Sequence, residues 1–414
     1  MKKIIHILIT LLFTAHIAYA EKGKQAEEMQ WLSVTAANKF ERSKLVNLGM
    51  SVENVIADTS YGYAPPSIIK NIRKAGFTVK AQMPAKDIMR GLDFPTEDGI
   101  YRNYNEQLET IDKLANEYPA LVKKTSMGKS LEGREMWGLQ INSDNMDGKI
   151  SGKPGFIVMG GHHAREHLSV EMPLKFAEYL VSEYGKNPTI TSLVDSREIF
   201  IFPNINPDGS EFDIHDGEYE MWRKNRRNNG GSSCAGVDLN RNYSFKWGTG
   251  GSSTSPCSDV FMGPTPFSEP ETLNVKNFVE AHINIKVLLS FHSYSELILY
   301  PWGHTYNSIP NQKDLSTFET MARSMAQWNK YTPQQSSDLY IASGDTTDWA
   351  YGQLGIFAFT FELSPQMWGS GGFYPGPNAI ESAFNDNLRP LLYLLDLADD
   401  PYRAVTAPQT TLFY

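Results

Sequence analysis

Four short runs, residues 156–159, 198–202, 287–291 and 357–363, are almost continuously apolar, and segments of helical periodicity at 169–184, 271–281 and 315–330 separate them. A strand with one wet face alternates polar and apolar residues, whereas a near-continuous apolar run requires cover on both faces. The intervening helices are the natural cover. The expected fold is therefore α/β: a mixed, mostly parallel central sheet covered by helices on both faces. Hydrophobic residues at 41% and charged residues at 21% of 414 suffice to bury such a core and exclude a disordered chain.

The N-terminal part has a different texture. Lys2-Lys3, an apolar run at 4–15 and the small-residue triplet Ala18-Tyr19-Ala20 have the three parts of a secretory signal peptide. The run is too short for a bilayer and is flanked or interrupted by His6 and His16, so residues 1–20 read as a leader and not as a membrane anchor. A secreted or periplasmic protein is expected. Strand-like residues 31–35, helical 38–48, apolar 52–56, helical 66–75 and strand-like 77–81 form a small α+β module within 21–92. A linker at 86–96 then leads to a helical stretch, 104–118, and to the main domain, 93–414. Export permits a disulfide, and the two cysteines present, Cys234 and Cys257, are expected to bond to each other across a Gly/Ser-rich loop.

Polar groups gather where the four apolar runs end. His162-His163-Ala164-Arg165-Glu166-His167 follows the first, Asn204 to Asp208 the second and His292-Ser293-Tyr294 the third, while Glu362 lies near the end of the fourth. In open α/β sheets ligands bind outside the carboxyl ends of the strands, so four such endings predict one crevice. His163 and Glu166, three apart, suit one face of a helical turn. With His292 they make the three ligands of a catalytic zinc, leaving a fourth position open. The same string also fits H-x-x-E-H, in which His163 and His167 bind metal for an endopeptidase and Glu166 is the base. That alternative leaves His292 and Glu362 without a role. The net charge of −9 and the lack of a long basic run exclude a nucleic-acid partner, so the cluster Arg223-Lys224-Asn225-Arg226-Arg227 needs another explanation.

His163-Ala164-Arg165-Glu166, Asn206-Pro207-Asp208-Gly209, Met221-Trp222-Arg223-Lys224, the stretch 236–242, Phe291-His292-Ser293-Tyr294-Ser295, the stretch 340–344 and Phe359-Thr360-Phe361-Glu362-Leu363 occur in this order. Together they resemble the zinc metallocarboxypeptidases of the carboxypeptidase A/B family, most closely the bacterial carboxypeptidase T type. The resemblance implies one zinc per chain on His163, Glu166 and His292, Glu362 as general base, and Arg223 facing the oxyanion. It implies that Asn240 and Arg241 bind the substrate's terminal carboxylate, that Tyr340 folds over it, and that Arg165, Ser293 and Tyr294 form neighbouring subsites. Residues 21–92 resemble a pro-segment, released near Gly91-Leu92-Asp93 by an activating protease.

Peptide or protein C-termini are the implied substrates and a monomer the implied state. Some family members instead cut cell-wall peptides. Structural calcium is left open, with no residues assigned. The pocket-floor position is Thr347, neither the aspartate that selects basic ends nor an aliphatic residue. Asp345 matches a pocket-wall aspartate, so broad specificity is expected: apolar, aromatic and basic ends.

Overall fold

The computed structural model describes residues 27, 29–84, 100–144, 151–367 and 371–406. The expected leader at 1–20, the linker at 86–96 and the release point near Gly91 lie outside them. The main domain contains strands β5 (Val122–Lys129), β6 (Glu135–Ile141), β7 (Gly155–Met159), β8 (Glu198–Phe202), β9 (Ile285–Ser293), β10 (Leu297–Tyr300), β11 (Thr332–Gln335) and β12 (Phe357–Leu363). They form one sheet in the order β11-β10-β12-β9-β7-β8-β6-β5. The central block β12-β9-β7-β8 is parallel, and antiparallel pairs occur outside it, so the sheet is mixed as expected.

The apolar runs pack in two directions because successive strand residues point to opposite faces. Phe156, Val158, Ile199, Ile201, Leu289, Phe359 and Phe361 enter one core, against helices Tyr104–Glu117, His167–Glu183, Gln312–Asn329 and Asn378–Asp396. Their neighbours Ile157, Met159, Phe200, Phe202, Leu288 and Ala358 enter the other, against Pro270–Ala281 and Thr346–Leu354. Each large side chain buried this way contributes about 1.5–3 kcal/mol. The parallel direction of the four central strands then brings their carboxyl ends to one edge.

The N-terminal module has β1 (Gln30–Thr35), β2 (Ser51–Ile56), β3 (Thr59–Ala64) and β4 (Val79–Pro84) in an antiparallel sheet of order β2-β3-β1-β4, with helices Lys39–Asn47 and Pro66–Lys74. The sequence reading has no counterpart of β3: Thr59-Ser60-Tyr61-Gly62-Tyr63-Ala64 lacks an apolar run, and its pairing with β1 and β2 supplies the order that local pattern does not. Gly62 is required there, since a Cβ would sit 1.8 Å from the Ser51 carbonyl oxygen. The module docks on the main domain through Arg42, which donates to the Leu339 and Asp338 carbonyls at 2.6 and 2.8 Å, and through the Lys39–Asp338 ion pair. Cys234 and Cys257 are joined. Among the described residues no helix is long and apolar enough to cross a membrane.

Candidate metal centre

Strand β7 ends at Met159, and the chain turns through Gly160 and Gly161 before entering the helix His167–Glu183. His163 and Glu166 sit in this turn and not on a helical turn: Glu166 is the residue before the helix, and its amide donates to the His163 carbonyl at 3.2 Å. The turn still brings them together. His163 Nδ1 lies 2.7 Å from Glu166 Oε1, and His292 Nδ1, from the end of β9, lies 3.0 Å from Glu166 Oε2 and 3.1 Å from His163 Nδ1. Two ring nitrogens and a carboxylate thus face one another at close to the spacing of about 3.3 Å that ligands 2.0–2.1 Å from a tetrahedral zinc would have. Two imidazole nitrogens at such range repel unless a proton or a cation lies between them. Among the described residues this is the group able to hold a metal ion, and the donor set fits zinc.

The surroundings prepare these donors. His163 Nε2 lies 3.1 Å from Asp238 Oδ1, which fixes the ring so that Nδ1 faces the centre. Burial favours neutral Glu166, but His163 and His292 outweigh it and hold the carboxyl below its usual range. Burial lowers His292, which keeps its ring neutral as a metal ligand must be. Beneath it, His162 stacks on the His292 ring with centroids 5.5 Å apart. Burial, with His292 and His163 adding, holds His162 well below its ordinary value.

His167 faces elsewhere. Its Nε2 lies 2.9 Å from Asp213 Oδ2, which also accepts the Tyr374 hydroxyl at 2.8 Å. The H-x-x-E-H alternative thereby lacks its second histidine ligand.

Glu362 stands beside the centre because β12 and β9 run parallel with Glu362 in register with His292. Burial, then the charges of Glu166 and Glu53, push its carboxyl well above the usual range. Arg223 donates to Asp238 Oδ2 from Nε and Nη2 at 3.2 and 3.0 Å. Burial opposes its charge, but Asp238, Glu53 and Glu166 outweigh that and make the guanidinium more basic than usual. Asp238 is in turn held well below the carboxylate range, since Arg223 and His163 overcome its burial. Sequence reasoning gave Asp238 no part, although it lies inside one of the ordered motifs.

His163, Glu166, Arg223, Asn240, Arg241, Tyr340, Asp345, Thr347 and Glu362 line one cavity. Asn240 accepts from the Thr346 amide and hydroxyl through Oδ1, so its Nδ2 is the end left to donate. Arg241 is aimed by two carbonyls: Nε donates to Gly251 at 2.9 Å and Nη1 to Asn240 at 2.7 Å. Gly251 adopts φ +67°, and a Cβ there would lie 1.7 Å from the Ile341 oxygen, so only glycine brings this carbonyl under Arg241. Burial pushes Tyr340 up to about 12, and its ring packs on the apolar core of the N-terminal module. Ser293 donates its amide to Glu166, and Tyr294 packs edge-on to Phe373 at 5.0 Å. The Arg165 guanidinium lies over the rings of both Tyr63 and Phe373, at 4.9 and 4.4 Å from their centroids.

The roof of the cavity is foreign to the main domain. Val52 and Glu53 of β2 line it, and Glu53 Oε1 accepts from Arg165 Nη2 at 2.7 Å while Oε2 lies 3.8 Å from Arg223 Nη1. No local sequence signal marks Glu53, because the two guanidinium groups it meets lie more than a hundred residues away.

Comparison with known proteins agrees with this geometry. The profile of the family described as zinc carboxypeptidase matches residues 108–389. A zinc carboxypeptidase of Saccharothrix mutabilis subsp. capreolus is 35% identical over 92% of this chain and 91% of its own. Carboxypeptidase A1 of Rattus norvegicus is 35% identical over 84% and 83%. The crystal structure of carboxypeptidase A from Helicoverpa armigera superposes with a TM-score of 0.75 at 25% identity, covering 90% of this chain and 98% of that one.

Proposed function

Since this chain belongs to the zinc carboxypeptidase family and is a zinc metallocarboxypeptidase, we propose that it is an exported, broad-specificity exopeptidase made as an inhibited precursor, acting on free C-termini of peptides and proteins. The observation that carries the reading is the meeting, in one cavity, of the His163–Glu166–His292 donor set, Glu362 and the paired Asn240 and Arg241. A cell-wall peptide as substrate has no such observation in its favour.

His163, Glu166 and His292 would hold the zinc, which when bound supplies a Lewis acid and a water of lowered pKa. Glu362 takes a proton at its carboxylate and gives it to the leaving amine, a task suited to an acid raised by burial. Arg223, fixed by Asp238, presents a permanent charge to the oxyanion in a site where little water competes. Asn240 Nδ2 and the Arg241 guanidinium grip the terminal carboxylate, which a planar fork of donors fits better than an ammonium. Tyr340 closes over that end, and Arg165, Ser293 and Tyr294 contact the residues upstream.

Residues 21–92 act as the pro-segment. Val52 and Glu53 line the cavity, and Tyr340 packs against the module instead of being free to close. Cleavage after residue 20 and export would bring the chain to the oxidising compartment that its disulfide suits. Asp345 and Thr347 in the pocket give it one acidic and one small polar wall, which supports acceptance of basic as well as apolar ends.

The test is a set of peptides offered with free or amidated C-termini to the zinc-loaded, proteolytically trimmed protein. Stepwise removal of terminal residues from the free acids alone is expected. Efficient cleavage of internal bonds in amidated peptides would overturn the reading.

A further inference from the structure

Within that carboxypeptidase reading, on which the following rests, the two oxygens of Asp345 have different fates. Asp345 caps the helix Thr346–Leu354: Oδ1 accepts the Asp348 amide at 2.9 Å and the Thr347 hydroxyl at 2.6 Å. An N-cap uses one oxygen. No donor among the described residues reaches Oδ2, although the residue is only 6% exposed and lines the cavity beside Arg241. Buried polar atoms are nearly always paired, so this one is left for whatever side chain enters.

One turn along the helix, Asp348 is fully engaged. Its Oδ1 accepts the Gly303 amide at 2.8 Å, and its Oδ2 accepts the His304 amide at 2.9 Å and lies 2.6 Å from His304 Nδ1. Asp348 therefore offers a visitor nothing, but its charge bears on Asp345. Arg241 and Tyr243 face Asp345 from the chain before, and Arg223, Tyr340 and Glu362 line the rest of the cavity. Burial and the Asp348 charge push Asp345 up to about 7, against Arg241 and the two hydrogen bonds at Oδ1.

We propose that the charge of Asp345 decides which class of C-terminal side chain the pocket accepts, so that mildly acidic solution favours apolar ends and mildly alkaline solution admits Lys and Arg as well. A protonated Oδ2 can lie against hydrocarbon without burying a charge, whereas a basic side chain entering beside it has no anion to meet. Ionised Asp345 supplies that anion to a basic end, while an apolar end is still taken with water left at Oδ2. One pocket thus serves two substrate classes by exchanging a proton.

The experiment measures kcat/KM for benzoylglycyl-Leu and benzoylglycyl-Arg from pH 5 to 9, using the zinc-loaded chain activated by limited proteolysis. The Arg/Leu ratio cancels every ionisation common to the two reactions, including those of Glu362 and the substrate carboxylate. It should rise about tenfold per pH unit below about pH 7 and level off above. Asp345→Asn keeps the helix cap, since Asn caps as well as Asp, and should leave the ratio low and flat. Asp348→Asn removes the neighbouring charge and should move the midpoint to lower pH, which loss of a merely structural contact would not do. A flat wild-type ratio, or a slope that survives in Asp345→Asn, overturns the inference while turnover of both peptides leaves the exopeptidase reading standing. Turnover of neither peptide overturns both.

Discussion

Glu53, on a strand of the N-terminal module, lines the cavity and sets its carboxylate 2.7 Å from the Arg165 guanidinium, with both side chains almost wholly shielded from water. The pair is charge-assisted, and its acid also adds to the field that raises Glu362.

Removing that acid should loosen the module's hold. In the uncut chain, Glu53→Gln is expected to raise kcat/KM about ten- to a hundredfold, the equivalent of one hydrogen bond to a charged group worth about 1.5–3 kcal/mol. Trimmed wild-type and trimmed variant should then be equally active. If uncut wild-type protein already matches the trimmed form, the inhibitory role of residues 21–92 is wrong.

The donor set makes a separate claim about metal content. Glu166→Gln and His292→Ala should each lower zinc per chain after dialysis, whereas His167→Ala should leave it near wild-type because that ring pairs with Asp213. Elemental analysis of folded protein decides the matter, and loss of zinc in the His167 variant would restore the endopeptidase alternative.

Asp238 touches both His163 and Arg223. Asp238→Asn should therefore weaken zinc binding about 10- to 100-fold, the usual cost of losing an outer partner of a histidine ligand. It should also lower kcat in zinc-saturated protein, since Arg223 loses its fixed counter-charge. Competition with a chelator of known affinity reads the first effect. Unchanged zinc affinity would assign Asp238 to Arg223 alone.

For Glu362, the expected outcome is a split between binding and turnover. Glu362→Gln should retain zinc and bind a peptide normally while kcat falls about 10²–10⁴-fold, the worth of a positioned general base. A loss confined to KM would move the base to another residue.

The four buried strands were legible because burial on both faces leaves few polar residues in the chain. By the same logic the edge strands were not. Val122–Lys129 carries Lys123, Lys124 and Lys129, and Thr332–Gln335 has no strongly apolar residue, so both become strands only through their neighbours. In the candidate site, His163, Glu166, His292 and Glu362 are legible in the sequence because each lies at or just beyond the end of a legible strand. Asp238 was passed over since its importance is a contact 75 residues away, and Glu53 since it belongs to a different module.

The carbonyl of Gly251, which aims the Arg241 guanidinium, belongs to the loop that Cys234 and Cys257 close. On the proposed reading, recognition of a substrate's end is thereby tied to the thiol chemistry of the surroundings. On that reading, protein made in a reducing cytosol would keep its three metal donors, which come from other segments, yet hold both Asp238 and the Asn240–Arg241 carboxylate grip less firmly, and such material should bind peptides poorly until it is oxidised.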